Sequence, residues 1–410
     1  MIGLLPPPLA LYVHLPWCVR KCPYCDFNSH VHKGALPETA YVEALLADLD
    51  ADLPLAGGRR VDTVFLGGGT PSLFAAESLA ALFRGIGARL ELAPDAEITL
   101  EANPGTIEHG RFAGYRDAGI NRISLGAQTF NVQQLAALGR IHGPADTGRA
   151  VAELTAAGIV NFNLDLMYAL PEQTVESASH DIATAVALEP PHLSHYQLTL
   201  EPGTVFHERP PRLPDEDLAH EIQAASHARL AAAGYRQYEI SAWARPGSEC
   251  RHNLNYWQFG DYLGIGAGAH GKLTDAAAGS INRTVKTKQP RAYLERARAG
   301  ASQRTMVSVP EQERVFEFML NALRLPAGFI TETFETRTGV PLAAAAGTLA
   351  AAVDRGLLAS DTAGWHATPL GLRFLNDLQA MFLAPERSED AAGRQATPPR
   401  PDRFAESGRP

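Results

Sequence analysis

The stretch Tyr12-Val13-His14-Leu15-Pro16-Trp17-Cys18-Val19-Arg20-Lys21-Cys22-Pro23-Tyr24-Cys25-Asp26-Phe27 decides how this chain is read. It holds three of only four cysteines, spaced C-x3-C-x2-C, directly after a strand-like run over Leu9 to Leu15. Three thiolates at that spacing hold three corners of a cubane [4Fe-4S] cluster and leave one iron without a protein ligand, whereas the usual electron-transfer cluster closes all four corners with cysteine. An open iron invites a small-molecule ligand. Zinc is the competing reading: His14, His30 or His32 could complete a tetrahedral site, although zinc ligands more often come as two separated pairs.

Outward from this loop the chain repeats one unit. A helix is predicted from about Pro37 to Leu53, then the compact strand Val61 to Leu66 runs into Gly67-Gly68-Gly69-Thr70-Pro71 and a second Ala/Leu helix. Further strands are expected at Glu97 to Ala102, Asn121 to Gly126, within Gly158 to Met167, and at Leu193 to Leu200, with helical stretches between them. Alternating β and α elements argue for a parallel sheet covered by helices, either open or closed into a barrel. Polar or Gly-rich signals sit at the carboxyl ends of these strands, which is where both architectures bind ligands. Those signals are Gly68, Gly69 and Thr70, then Glu101, Gln128 and Asp165, with Arg140 following the fourth strand. Glycines there let a ligand approach the backbone, or they make a plain turn. The polar residues could equally cap the helices that follow.

After a helix at about Asp215 to Ala233 the rhythm changes. Tyr235 to Ile240 is expected to be one more strand, and Cys250 to Lys272 reads as a loop-rich, aromatic segment. From about Val309 the chain is helical again, with a hairpin at Leu357 to Ala367 and a last helix capped by Thr368. Five parts are therefore expected: an extension at 1–8, an α/β domain at 9–240, a connecting segment at 241–300, a smaller helical, winged-helix-like domain at 301–383, and a disordered tail at 384–410.

Composition excludes several classes. The formal charge is -9 and no basic stripe could neutralise phosphates, so nucleic acid is not an expected partner. No apolar run reaches the ~20 residues of a spanning helix, and the prolines at 6–8 break the only N-terminal apolar run, so a cytoplasmic protein without membrane insertion is expected. A homodimer is left open.

The cysteine loop with Tyr24, the Gly67 to Pro71 run, Glu101, Gln128, Arg140 and Asp165 together resemble a radical S-adenosylmethionine (SAM) protein of the coproporphyrinogen dehydrogenase-like group, over about residues 9 to 383. The resemblance implies a partial (βα)6 TIM-type barrel with the smaller winged-helix-like domain behind it. It implies that Cys18, Cys22 and Cys25 hold a [4Fe-4S] cluster whose free iron takes SAM, with Tyr12, Tyr24, Gly68, Gly69, Thr70, Glu101, Gln128, Arg140 and Asp165 around that ligand. In this family, cleavage of SAM yields a 5'-deoxyadenosyl radical, so the cofactor carries the hard chemistry.

Two functions compete within the group. The dehydrogenase pattern adds a fourth cysteine at the position of Phe27 and a substantial segment before the first strand. Both departures match the HemW-type heme chaperones, which are understood to bind heme and pass it to respiratory proteins. His252-Asn253-Leu254-Asn255-Tyr256-Trp257 resembles their H-N-x-x-Y-W motif, which implies His252 as a heme ligand, with the aromatics covering a flat macrocycle. The structural alternative is a loop in which His252 bonds backbone, with Cys250 a buried thiol. Heme carriage is the leading expectation, an oxygen-independent coproporphyrinogen III dehydrogenase the alternative, and a zinc-bound structural protein the third.

Overall fold

The computed structural model describes residues 3–105 and 111–383. Six parallel strands follow one another in space as they do in sequence: β1 (Leu9–Leu15), β2 (Val61–Gly68), β3 (Leu92–Ala102), β4 (Arg122–Gln128), β5 (Phe162–Tyr168) and β6 (His192–Gln197). Helices such as Glu38–Ala56, Ala76–Gly87, Pro144–Ala156 and Val175–Ala187 cross over between them. Sequential order curls a parallel sheet toward a barrel, and β4 and β5 are buried throughout, with Ile123, Leu125, Leu164 and Leu166 in the core and Ser124, Asn163 and Asp165 as buried polar residues. The sheet does not close, because β1 and β6 each pair with a later strand on their free side. The expected partial (βα)6 barrel is therefore present.

The later strands are β7 (Arg236–Glu239), β8 (Ala242–Ala244), β9 (Asp261–Ile265), β10 (His270–Asp275), β11 (Ser280–Lys286) and β12 (Arg304–Ser308). The full order is β12-β11-β10-β9-β1-β2-β3-β4-β5-β6-β8-β7. Here the structure corrects one expectation. Cys250 to Lys272 is not loop-rich: it holds the helix Arg251–Trp257, then β9, which pairs in parallel with β1, and the start of β10. Residues of the stretch 241–300 thus extend the same sheet. Buried ion pairs tie them in. Lys286 meets Asp48 and Asp52 at 2.6 Å each, and Asp261 takes Lys272 at 2.9 Å and Arg59 at 2.8 Å.

Residues 309–383 pack around a second apolar core in which Phe318, Phe329 and Phe334 meet edge-on or tilted. The region is mainly helical, with the hairpin β13 (Leu358–Asp361) and β14 (Gly364–Ala367) as a wing, and Asp361 accepts from the Ala363 and Gly364 amides to form its turn. Thr368 caps the next helix as expected, but that helix ends at Arg373 and a second short one, Leu375–Ala380, follows. The tail 384–410, expected to be disordered, lies outside the described residues. Among the described residues no helix is long and apolar enough to cross a membrane.

Candidate functional site

At the carboxyl ends of the strands lies a cavity of about 1150 Å³, open to solvent. Cys18, Cys22 and Cys25 stand on its wall with Tyr24, Gly68, Gly69, Thr70, Glu101, Gln128, Arg140 and Asp165. One expected residue is set apart: Tyr12 does not line the cavity, and its hydroxyl pairs with His14 Nδ1 at 3.0 Å.

The glycines are required for a reason other than ligand access. Gly68 has a φ of +115°, and a Cβ there would lie 2.4 Å from the His14 ring; a Cβ on Gly69 would lie 2.5 Å from the Trp17 carbonyl oxygen. The loop after β2 is therefore pressed against the strand end that launches the cysteines. The Gly69 and Thr70 amides complete the clamp by donating to the carbonyls of Leu15 and Trp17 at 2.8 Å each. Gly139, with φ +70°, meets the cysteine loop from the other side, since a Cβ there would touch Pro23 at 2.8 Å.

Each thiol has a polar neighbour. Thr70 Oγ1 points to Cys18 Sγ at 3.6 Å, Cys25 Sγ lies 3.6 Å from Ser29 Oγ, and Arg140 Nη1 reaches Cys22 Sγ at 3.8 Å. Burial pushes the Cys18 thiol up to about 11, with Thr70 partly offsetting it. A bound metal would overturn that and hold the sulfur as thiolate. The donor set fits an iron-sulfur cluster: three thiols border one cavity, and donors aimed at sulfur are the groups that tune such centres. The zinc reading fits worse, because His14 and His32 bond the carbonyls of Asn28 and Ala35, and His30 bonds the Asn28 side chain. Among the described residues no three His, Cys, Asp or Glu converge on a point suited to one metal ion.

A polar wall adjoins the thiols. Arg140 is anchored by the Gly126 carbonyl at 2.8 Å and by Asn103. Glu101 accepts from the Gly68 amide at 3.1 Å, and burial, then the charge of Asp165, pushes its carboxyl up to about 8. Asp165 lies within β5, below the mouth, and accepts from Ser124 at 3.1 Å and Asn163 at 2.6 Å. Gln128 adopts a left-handed φ of 67° and accepts from the Tyr196 hydroxyl at 2.9 Å. A non-glycine residue in that conformation costs free energy and tends to mark a site. Sequence reasoning passed over Asn103, Ser124, Met167 and Tyr196, which also line the cavity. The alternation of His192, Ser194 and Tyr196 along β6 was a usable signal, because period two puts all three on one face.

His252 is elsewhere. It lies on the helix Arg251–Trp257 near the amino ends of β2 and β3, buried, with Nδ1 2.8 Å from Thr63 Oγ1 and Nε2 2.9 Å from the Tyr256 hydroxyl. Glu97 accepts from the amides of Arg251 and His252 at 3.2 and 3.0 Å, an acid at the helix start. Burial, then the Arg122 charge, pushes the imidazole down to about 3. Each ring nitrogen of His252, the expected heme ligand, thus has a hydroxyl partner, Thr63 or Tyr256. Cys250 is a buried thiol beside Glu97, as its bland reading held.

An open parallel barrel with a three-cysteine loop at its mouth defines the radical SAM class, and residues 12–184 match the model of the Radical SAM superfamily, while residues 309–374 match that of the HemN C-terminal domain. The chain is 50% identical over 378 residues to the heme chaperone HemW of Escherichia coli (strain K12), covering 92% of this chain and 99% of that protein. It is 48% identical over 384 residues to the heme chaperone HemW of Haemophilus influenzae, covering 93% and 99%. The chain belongs to this heme chaperone HemW family. In fold it is similar to the E. coli coproporphyrinogen III oxidase HemN, described as a radical SAM enzyme, with a TM-score of 0.78 at 23% identity, over 92% of this chain and 90% of that one.

Proposed function

We propose that this chain is a heme chaperone on a radical SAM scaffold: it binds heme and delivers it to respiratory hemoproteins. The observation that carries this reading is 50% identity, across nearly the full length of both chains, to a protein named heme chaperone. Phe27, which occupies the place of the fourth cysteine in the dehydrogenase pattern, supports it from within this sequence.

In this reading Cys18, Cys22 and Cys25 hold the [4Fe-4S] cluster, and SAM lies among Tyr24, Gly68, Gly69, Thr70, Glu101, Gln128, Arg140 and Asp165, with Tyr12 behind them. Bound SAM would supply the open iron with its missing ligands, and on cleavage a deoxyadenosyl radical. The chain's own residues orient that ligand. Arg140 presents a cation held in place by Asn103 and Gly126, and Glu101 and Asp165 provide acceptors at two depths. Heme is not assigned to the His252 imidazole, whose nitrogens are spent on Thr63 and Tyr256.

The test is an anaerobically reconstituted protein titrated with heme, followed by transfer to an apo-hemoprotein. A Soret band that saturates and then moves to the acceptor is expected. The same sample given SAM, a reductant and coproporphyrinogen III decides the alternative: sustained protoporphyrinogen IX formation would overturn heme carriage in favour of an oxidoreductase.

A further inference from the structure

Gln128 reaches the cavity through a local distortion of its strand. Leu125 of β4 stands opposite Leu164 of β5, but Gln128, three residues on, stands opposite Leu166, only two residues on. The extra residue makes a bulge, a device that re-aims a side chain beside a site. The Thr129 amide then turns back to the Ala127 carbonyl at 2.9 Å, and Gln128 is left with its left-handed φ of 67°. A residue other than glycine persists there only where its surroundings over-determine it.

The restraint comes in part from a residue outside the cavity. Asp181, on the helix Val175–Ala187, is 3% exposed and is not among the cavity's lining residues. Its Oδ1 accepts from the Phe130 amide at 2.7 Å and its Oδ2 from the Thr129 hydroxyl at 2.8 Å. Both oxygens of one carboxyl thus close on the two residues that follow Gln128. Thr129 Oγ1 also accepts from the Asn131 amide at 3.0 Å, and Asn131 caps the short helix Val132–Ala137. From the other side, His142 Nε2 meets the Ala127 carbonyl at 3.2 Å and Arg140 holds that of Gly126. Burying a carboxyl is costly, and among the described residues no Lys or Arg forms an ion pair with Asp181. The Tyr196 hydroxyl already donates to Gln128 Oε1, which leaves the Gln128 amide nitrogen as the donor this side chain can offer a ligand.

We propose that Asp181 is a positioning residue for SAM: it locks the turn Gln128-Thr129-Phe130 so that the Gln128 amide meets the ligand already in its binding geometry. Asp181 acts through Gln128 and does not touch the ligand. This inference rests on the reading of the cavity as a SAM site and not on heme carriage. It also carries a pH signature. Burial raises the Asp181 carboxyl to about 6, with the Phe130 amide and the Thr129 hydroxyl partly offsetting it. Above that value the carboxylate accepts both bonds with its full charge, and below it the grip weakens. The other titratable or charged groups about the turn are His180 in the same helix, and His142 and Arg140. Burial, then the Arg140 charge, holds His142 down to about 4, so it stays neutral where Asp181 titrates.

The experiment is calorimetric titration of SAM into full-length, anaerobically reconstituted protein, as a double-mutant cycle of Asp181→Asn and Gln128→Ala. Asparagine keeps an oxygen for the Phe130 amide and turns its NH2 to Thr129 Oγ1, so the fold and the iron content should persist. Asp181→Asn should weaken SAM binding about fivefold at pH 7.5, shrinking toward onefold at about pH 5, and a His180→Gln background keeps that imidazole out of the profile. In Gln128→Ala protein the same substitution should have no further effect. Ser177→Ala, which loosens the start of the same helix without touching the turn, should lower the melting temperature and leave SAM affinity unchanged. An equal loss from Asp181→Asn with and without Gln128, a loss independent of pH, or no loss at all would overturn the inference. Wild type that takes up iron and binds no SAM would sink it together with the SAM reading. A cycle that holds in protein unable to bind heme would support it and sink heme carriage alone.

Discussion

The two ends of the barrel are built from similar residues and do opposite things. At the amino ends of the strands, Thr63, Glu97, Asn163, His192, Tyr238 and His252 lie closed in and bond mainly to one another and to the helix Arg251–Trp257: His192 joins Asn163 and Tyr238 at 2.7 Å each, His252 joins Thr63 and Tyr256, and Asn163 alone also reaches Asp165. At the carboxyl ends, Glu101, Asp165, Arg140 and three thiols border open space instead. Polar residues inside a barrel are costly unless paired. The closed end spends them on holding the helix Arg251–Trp257 against the sheet, whereas the open end leaves them facing a cavity. A chemically suggestive residue type is informative about function only once its partners are known.

The largest expected effect lies at the open end. Cys22→Ser should abolish cluster assembly, read as loss of iron, sulfide and brown colour after anaerobic reconstitution, while the fold persists by circular dichroism. A cluster retained at wild-type stoichiometry would show that the open end is not organised around these thiols. At the closed end, His252→Ala should leave the cluster in place and cost stability instead. It strands the Thr63 and Tyr256 hydroxyls and removes a ring packed 5.2 Å from Phe65, a loss of about 2–4 kcal/mol in denaturant unfolding. Heme affinity of the folded fraction should be unchanged; a selective loss of heme with full stability would break the contrast. Gly69→Ala probes the join between loop and strand. Its Cβ would lie 2.5 Å from the Trp17 carbonyl, so a smaller cost of about 1–3 kcal/mol is expected, together with incomplete cluster loading.

Much of the open end was legible because its signals are local. The cysteine spacing, the Gly run and the polar residues at strand ends each lie within one short element, and strand order alone brings them together. The closed end was not legible in that way. His252 and Thr63 are 189 residues apart, and nothing in H-N-x-x-Y-W announces that Thr63 and Glu97 will fill its hydrogen-bonding capacity. The strand β9 was hidden for a related reason. Gly264 sits where a Cβ would come within 1.8 Å of the His270 carbonyl, so a residue that reads as a loop former marks close backbone packing inside the sheet. Gly68 and Gly69 line the cavity, and their missing side chains also make room for His14 and Trp17, a packing role that the Gly run alone did not announce.

The subtlest prediction concerns Glu101, a buried carboxyl of the open end that lines the cavity. Burial, then the Asp165 charge, raises its carboxyl from the ordinary 4.5 to about 8. The folded state therefore binds this proton more tightly than the unfolded chain. Stability is highest below the ordinary carboxylate value, falls as pH rises from there through about 8, and is flat above. Glu101→Gln removes that slope. The variant should gain on wild type between pH 5 and pH 9 by about 2 kcal/mol, allowing for solvent in the open cavity. SAM carries a sulfonium charge, and a cation beside Glu101 would favour the carboxylate. Added SAM should then raise the melting temperature of wild type more at pH 9 than at pH 6 and flatten the pH dependence, while leaving that of Glu101→Gln nearly parallel. If wild type and variant respond to SAM alike at both pH values, Glu101 does not face the ligand, and the open end would have to be reassigned around Asp165 and Arg140.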